Sequence, residues 1–237
     1  MTARRKSPVE NSTLQDLIPT LDIDTVGIAR LSEFKGTKLE ETALRLLPQA
    51  QSVVVCAMEI FPEILNHTRP ERTMGEASLN DLMDSNTDFL NGRLTEAAYD
   101  VARASRNMGF KALPLPALGC PFDARFLDSV FSYKHAAQAA GLGYLGRSSL
   151  LLTPNFGPRV RLSCCLTEAL LEPTVKADMV NVCQHCKACI NGCPSGAIIM
   201  PEGEEPYMIN KFACSTYRSA AGGCSECMRV CPAADKR

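Results

Sequence analysis

Hydrophobic and polar positions in the first part of the chain switch between helical and strand-like spacing. Apolar residues predict a short helix from Leu14 to Leu21, a strand from Ile23 to Ala29, and a helix from Leu39 to Leu47 that Pro48 ends. The β-branched run from Ser52 to Met58 predicts a buried strand. These elements are typical of a domain that mixes helices and strands.

The following stretch predicts one long helix and two more strands. Leu94 to Met108 has apolar residues at helical spacing and predicts a helix. Phe110 to Leu115 and Arg159 to Thr167 predict strands. Pro62 to Asn91 shows no clean period, which indicates a long irregular insertion or lid. Together with the preceding elements, this pattern predicts an α/β (α+β) fold.

A glycine pattern marks the centre of the chain. An alanine-rich helix ends at Gly141, Gly143 and Gly146 follow, and Leu150 to Leu152 predicts a strand. The spacing is G-x-G-x-x-G, but a dinucleotide-binding fingerprint follows a strand and opens a helix, which is the opposite order. The pattern therefore argues against NAD and is also compatible with a plain helix-to-strand turn.

Composition and charge narrow the class of protein. The net charge of −1 and the pI near 6.3 argue against a phosphate-binding surface, so we expect no nucleic acid partner. No apolar run is long enough to span a membrane. The basic start Arg4-Arg5-Lys6 lacks a following apolar segment, so we expect no export signal and a cytoplasmic location.

The 12 cysteines of the 237-residue chain fall into two groups. Cys56, Cys120, Cys164 and Cys165 are scattered, and we expect them to be small buried side chains. The other eight lie in the last quarter, in a segment too poor in apolar runs to build its own core. We therefore predict two domains, residues 1–172 and 173–237.

The spacing of the eight cysteines predicts two [4Fe–4S] clusters. Residues 183–194 read C-x2-C-x2-C-x3-C-P, and residues 224–232 read C-x2-C-x3-C-P. In two-cluster ferredoxins the cysteine before the proline binds the other cluster. Zinc sites of four cysteines each are the alternative, but they do not require the triple C-x2-C-x2-C spacing. The rule for ferredoxins assigns Cys183, Cys186, Cys189 and Cys231 to a first cluster, and Cys193, Cys214, Cys224 and Cys227 to a second.

Two motifs together resemble a known family. KHAAQAAGLGYLGRSSLLLTPNFGPRVRLSCCLT, followed by the two-cluster motif, resembles the epoxyqueuosine reductases, which are related to the corrinoid-dependent reductive dehalogenases. The resemblance covers residues 110–237 well and the first hundred in outline. It implies a nitroreductase-like α/β domain that holds cobalamin, with a small C-terminal ferredoxin-like domain that supplies electrons. It further implies that the corrinoid pocket is lined by Gly141, Gly143, Gly146 and Arg147.

The resemblance leaves the proton donor open. Family members carry an acidic residue upstream of the glycine pattern, and counting back from Gly141 places Leu127 there. Asp128, Asp123 and Tyr133 are the candidates nearby, and we take Asp128 and Tyr133 as predicted catalytic residues. A surface or helix-capping role for Asp128 is equally compatible with the sequence.

The resemblance and the motifs predict an iron–sulfur oxidoreductase. Two [4Fe–4S] clusters would pass electrons from a ferredoxin or flavodoxin to cobalamin, for the reduction of a small-molecule or corrinoid-protein substrate. Longer family members continue into a helical-repeat region that helps bind tRNA; because this chain ends at Arg237, we expect a short form that does not act on tRNA. Two alternatives stay open: a non-catalytic electron carrier or redox adaptor, and a reductase that uses FMN.

Overall fold

The computed structural model describes residues 14–68, 78–118, 120, 122–176, 178–203 and 205–235. Residues 14–17 are helical, and short 3₁₀ helices follow at Ile18–Thr20, Leu31–Phe34 and Pro232–Asp235. The α-helices are α1 (Lys38–Leu46), α2 (Pro62–His67), α3 (Ser78–Asn107), α4 (Tyr133–Ala139), α5 (Ala188–Asn191), α6 (Lys211–Ala220) and α7 (Glu226–Arg229). The strands are β1 (Thr25–Arg30), β2 (Ser52–Glu59), β3 (Ala112–Leu115), β4 (Phe122–Asp123), β5 (Asp128–Ser129), β6 (Tyr144–Leu145), β7 (Leu151–Leu152), β8 (Val160–Thr167), β9 (Ile198–Ile199) and β10 (Met208–Ile209).

One antiparallel sheet forms the centre of the fold, with the strand order β1-β2-β8-β3. β2 lies inside the sheet, and its Val55 faces Gly27 of β1 on one side and Cys164 of β8 on the other. Because this strand has neighbours on both sides and both its faces are covered, its residues from Val53 to Met58 are all apolar, as the sequence predicted. The mixed α/β class is thereby confirmed, with antiparallel pairing.

Helices cover the two faces of the sheet. Val53 and Val55 of β2 pack in one apolar cluster with residues of α1 and α4. The alternate residues Val54 and Cys56 pack in a second cluster with Leu94 and other residues of α3. This alternation follows from the two-residue period of a strand and places α4 and α3 on opposite sides of the sheet.

Three cysteines of the sheet are small core side chains, as predicted. Cys56, Cys164 and Cys165 are fully buried, and Cys120 is half-buried. Burial raises the pKa of Cys56 to about 12, while a hydrogen bond with Ser163 lowers it slightly. Burial raises the pKa of Cys164 and Cys165 as well, so the three fully buried thiols stay protonated and unreactive.

The irregular conformation predicted for Pro62 to Asn91 is wrong over most of the described part of that range. Pro62–His67 and Ser78–Asn107 are helices, and residues 69–77 of the prediction lie outside the described residues. The first turns of α3 extend beyond the sheet, so most of their described side chains are exposed and the sequence shows no apolar period. Leu90 is the point where α3 becomes buried, against Ile60 and Leu65.

The segment after residue 172 is built from short elements with little apolar core. In its described part, the buried apolar side chains are those of Ala197, Ile198 and Ala233. Its first residues adjoin the sheet, because the Thr174 hydroxyl accepts a hydrogen bond from the Ile28 amide at 2.9 Å. The boundary at residues 172 and 173 and the nitroreductase-like character of the first part stay predictions.

A membrane-spanning segment is not found: within the ranges given above, no helix combines the length and the apolarity that crossing a bilayer requires.

Candidate redox site

Four predicted cluster ligands surround one small cavity. Cys183, Cys186, Cys189 and Cys231 line it together with Arg147, and all four thiols are half-buried. Burial raises the pKa of Cys189, and the negative charges of Cys183 and Cys186 raise it further. The thiols are thus close enough to influence one another's ionisation. We call this set the first quartet.

The other four cysteines form a second quartet: Cys193, Cys214, Cys224 and Cys227. Burial raises the pKa of Cys227 to about 12, and the charges of Cys224, Cys214, Cys189 and Cys193 add to that effect. Cys189 belongs to the first quartet, so its presence among these neighbours indicates that the two quartets adjoin.

Cys193 differs from its partners because hydrogen bonds stabilise its thiolate. Burial raises its pKa, but hydrogen bonds from the Ser195 hydroxyl and from the backbone amides of Ile198, Ala197 and Ser195 outweigh burial and lower it. Such donors also stabilise a thiolate bound to iron.

The donor chemistry of both quartets fits iron–sulfur clusters. All eight cysteines are free thiols, and the thiolate is the form that binds iron. Among the described residues, no three His, Cys, Asp or Glu side chains are close enough together to share one metal ion. A [4Fe–4S] cube binds each thiolate through a different iron atom and does not require that convergence.

Two glycines of the pattern predicted to line a corrinoid pocket pack against neighbouring backbone. Gly141 packs on the Lys176 backbone, where an added Cβ would lie 3.0 Å from the Lys176 Cα. At Gly143 an added Cβ would lie 2.0 Å from the Leu152 carbonyl oxygen, so this position requires glycine for close backbone approach.

Gly146 and Arg147 adjoin the first quartet. An added Cβ on Gly146 would lie 3.3 Å from the Cys183 Sγ, and Arg147 lines the thiol cavity. None of Gly141, Gly143, Gly146 and Arg147 is among the described residues that line the larger cavity described next.

A larger cavity of about 870 Å³ lies between two parts of the chain. We call the part up to residue 172, which forms the four-stranded sheet, the sheet domain, and the part after residue 172 the cysteine-rich segment. From the first part it is lined by residues of α1, the β4–β5 hairpin and α4; from the second part it is lined by Tyr207, Ile209 and residues of α6. Cys214 of the second quartet is one of these α6 residues. The volume lies within the range of about 300–1,000 Å³ that is usual for ligand sites.

Asp128 lines the cavity but is ion-paired. Its carboxylate lies 3.2 Å from the Lys211 Nζ and 3.9 Å from the Lys38 Nζ. Partial burial raises the pKa of Asp128, but the hydrogen bond and charge of Lys211, with the charge of Lys38, outweigh burial and lower it. At neutral pH this group is therefore a carboxylate, which cannot donate a proton.

Tyr133 points away from the cavity. Its hydroxyl donates a hydrogen bond to the Pro116 carbonyl oxygen at 2.7 Å, and it is absent from the described lining residues. Burial raises its pKa well above the usual value, and its hydrogen bond with Cys120 adds to the effect. This hydrogen bond connects the first residue of α4 to the chain just after β3.

Lys134 is the cavity residue that sequence reasoning missed. Its Nζ donates hydrogen bonds to the Ser149 carbonyl oxygen at 3.2 Å and to the Ser149 Oγ at 2.5 Å, and it lies 4.2 Å from the centre of the Tyr207 ring. Burial lowers its pKa to about 8, with a further contribution from the charge of Lys211 and an opposing one from Asp128. A lysine near neutrality can hold and release a proton in this cavity.

Backbone strain also marks this cavity. Apart from glycine, the described residues with positive φ are Leu127 at 48° and Ser149 at 65°. Both line the cavity, and Leu127 directly precedes Asp128. Such conformations are costly for residues with a Cβ and concentrate at functional sites.

Two curated relatives are similar to this chain in sequence. It is 32% identical over 157 residues to a tetrachloroethene reductive dehalogenase of Desulfitobacterium hafniense, a match that covers 58% of this chain and 26% of the relative. It is 24% identical over 229 residues to the epoxyqueuosine reductase of Bacillus subtilis, with 87% of this chain and 54% of the relative covered. The chain thus spans about a quarter and about half of these relatives. No protein-family model matches it.

Two solved structures share the fold. A reductive dehalogenase for which a B12-dependent dehalogenation mechanism is described has a TM-score of 0.63 and 22% identity, with 92% of this chain and 31% of that one covered. An epoxyqueuosine reductase solved with an epoxyqueuosine-modified tRNA stem loop has a TM-score of 0.54 and 18% identity, with 95% and 65% covered. None of these relatives is described as a flavoprotein, so the FMN alternative gains no support. Because one relative was solved with a tRNA stem loop, the expectation that this chain has no nucleic acid partner stays open.

All four relatives are named as reductases or reductive dehalogenases. This chain is therefore similar in sequence both to epoxyqueuosine reductases and to reductive dehalogenases, and it shares its fold with both.

Proposed function

We propose that this protein is a corrinoid-dependent iron–sulfur oxidoreductase. Two [4Fe–4S] clusters, bound by the first and second quartets, would supply electrons one at a time to cobalamin in the larger cavity. The residues 1–172 would form the cofactor and substrate domain, and residues 173–237 the ferredoxin-type domain. When bound, cobalamin supplies a strongly reducing cobalt centre, which is the chemistry that the protein residues alone lack.

One observation carries this proposal: Cys214 belongs to the second quartet and also lines the larger cavity. A cluster bound through Cys214 would lie directly against whatever occupies the cavity. The second quartet adjoins the first through Cys189 and Cys227. The order of electron transfer that we propose is first quartet, second quartet, cavity, with a ferredoxin or flavodoxin as the external donor.

Lys134 is our candidate for the proton donor, in place of Asp128 and Tyr133. It lines the cavity, is held in place by Ser149, and has a pKa of about 8, so most of it is protonated at neutral pH. Asp128 would position Lys211 and so keep α6, which carries Cys214, against the β4–β5 hairpin. These roles rest on the geometry and are proposals.

The substrate that we propose is a small molecule that enters beside the corrinoid, as the name of the dehalogenase relative suggests for that protein. A nucleic acid substrate is the second candidate. Lys38, Lys176, Lys211 and Arg218 around the cavity give it a positive edge, and one relative was solved with a tRNA stem loop.

Metal analysis and absorption spectra test the proposal. After anaerobic purification, reconstitution and incubation with hydroxocobalamin, we expect about eight irons and one cobalt per chain after gel filtration, with shifted corrinoid bands. Ala139→Trp, on α4 in the cavity wall, should abolish cobalt retention and leave the iron content unchanged. Ala104→Trp is the matched control, since Ala104 lines a separate groove of α3.

Other outcomes decide against the proposal. Eight irons with no retained cobalt would favour the electron carrier or redox adaptor. Release of FMN on heating would favour the flavin enzyme. Zinc without labile sulfide would remove the iron–sulfur assignment as well.

A further inference from the structure

The segment that contains β6 and the start of the following turn packs on the first quartet, although the resemblance assigns it to the corrinoid. We define the glycine turn as Gly143–Arg147. Gly146 is buried, and a Cβ there would lie 2.8 Å from the Leu152 side chain and 3.3 Å from the Cys183 Sγ. The absence of a side chain at Gly146 is therefore what lets the turn approach Cys183.

Tyr144 connects the turn to the backbone that leads into the quartet. Its hydroxyl accepts a hydrogen bond from the Val182 amide at 2.9 Å and donates one to the Val180 carbonyl oxygen at 3.4 Å. The same hydroxyl lies within hydrogen-bonding reach of the Cys183 side chain. The turn thus fixes both the position and the surroundings of the first thiol.

Arg147 holds the next part of the ligand loop. Its Nη2 donates to the Gln184 carbonyl oxygen at 2.9 Å, and its Nη1 donates to the Cys186 carbonyl oxygen at 3.1 Å. The Met200 Sδ lies 3.1 Å from the same Nη1. The guanidinium is half-buried, no carboxylate pairs with it among the described residues, and it lines the thiol cavity.

We propose that the glycine turn holds the first [4Fe–4S] cluster and that the charge of Arg147 raises the reduction potential of that cluster. Arg147 is then a positioning residue for the electron path and contributes nothing to corrinoid binding. This inference rests on the iron–sulfur part of the proposed function. Reduction adds one negative charge to a cluster, and a fixed positive charge nearby stabilises the reduced form. Hydrogen bonds to ligand sulfurs act in the same direction.

The second quartet offers a matched control. Arg218 lies on α6 one turn after Cys214, so the two side chains are on the same face of that helix. Arg147 and Arg218 thus lie beside different quartets, and each should influence its own cluster. Replacing Arg147 or Arg218 one at a time distinguishes an effect on one cluster from the effect of a general loss of positive charge.

Potentiometric titration followed by electron paramagnetic resonance tests the inference. Arg147→Gln should move the midpoint potential of one cluster to a more negative value and leave the other in place, with the iron content still about eight per chain. Arg147→Lys should restore most of the potential, since it keeps the charge. Arg218→Gln should move the other cluster.

The outcomes distinguish this inference from the proposed function. Selective loss of about four irons in Arg147→Gln, but not in Arg147→Lys, also supports the inference, because it shows that the turn holds one cluster. Unchanged potentials with eight irons would overturn it, and so would weaker hydroxocobalamin binding with unaltered clusters. If the wild-type protein binds no cobalamin, the proposed function fails while the titration of the two clusters still decides the role of Arg147.

Discussion

The sheet domain and the cysteine-rich segment use the same residue type in opposite ways. In the sheet, Cys165 is fully buried and burial raises its pKa strongly, so it acts as a small apolar side chain. In the segment after residue 172, the eight cysteines are half-buried and surround two sites, while few apolar residues are buried. The comparison teaches that apolar burial stabilises the first region, whereas in the second the clusters that we propose would form the core.

Removal of iron gives the largest expected effect. Anaerobic chelation should make the amides of residues 183–235 exchange rapidly, because the segment lacks an apolar core of its own, while β2 and β8 keep their protection. Hydrogen exchange measured by mass spectrometry on the holo- and apo-protein checks this. Reconstitution with iron and sulfide should restore protection. Slow exchange throughout 183–235 in the apo-protein would contradict the comparison.

Exchanging one cysteine in each region gives an effect of intermediate size. Cys227→Ser should lower the iron content from about eight to about four per chain and leave the stability of the sheet unchanged. Cys165→Ser should keep all the iron and lower the free energy of unfolding by about 1–3 kcal/mol, because it places a hydroxyl in an apolar core.

Iron analysis and urea unfolding on both variants measure this crossed pattern. Loss of iron in Cys165→Ser would mean that the sheet cysteines contribute to a cluster, and the comparison between the regions would no longer hold.

Local patterns were sufficient to predict much of the fold. β2 was predicted because a strand buried on both faces is a short β-branched run, and the cysteine spacing is a local signal too. The beginning of α3 was missed because an exposed helix needs no apolar period.

The larger cavity could not be predicted because it joins distant parts of the chain. Lys134, Ser149 and Tyr207 meet only through tertiary packing. A weak signal existed: Lys134 and Gln138 are four residues apart on an otherwise alanine-rich helix, which places two polar side chains on one face. The glycine pattern was assigned to a cofactor by resemblance alone, and that assignment stays a prediction, while Gly146 and Arg147 lie beside the first quartet.

Lys134 lies where the two regions meet, and its titration gives the smallest expected effect. In the folded protein its pKa is lowered to about 8, chiefly by burial, whereas an unfolded lysine has a pKa of about 10.4. Between these values the unfolded chain binds more protons, so this residue should make stability rise as the pH increases from about 8 to about 10. Below pH 8 the folded protein is less stable, because the protonated amine of Lys134 lies in a poorly solvated position close to Lys211. Lys134→Met should therefore flatten the rise and stabilise the protein slightly at pH 7.

Urea unfolding of wild type and variant at several pH values measures the difference, in which the titration of the remaining groups cancels. Lys211→Met serves as the control: it removes the neighbouring charge, so the rise should begin at a higher pH. Identical pH profiles for the wild type and Lys134→Met would show that the amine is solvated as in the unfolded chain, and the region between sheet and cysteine-rich segment would then be open to water.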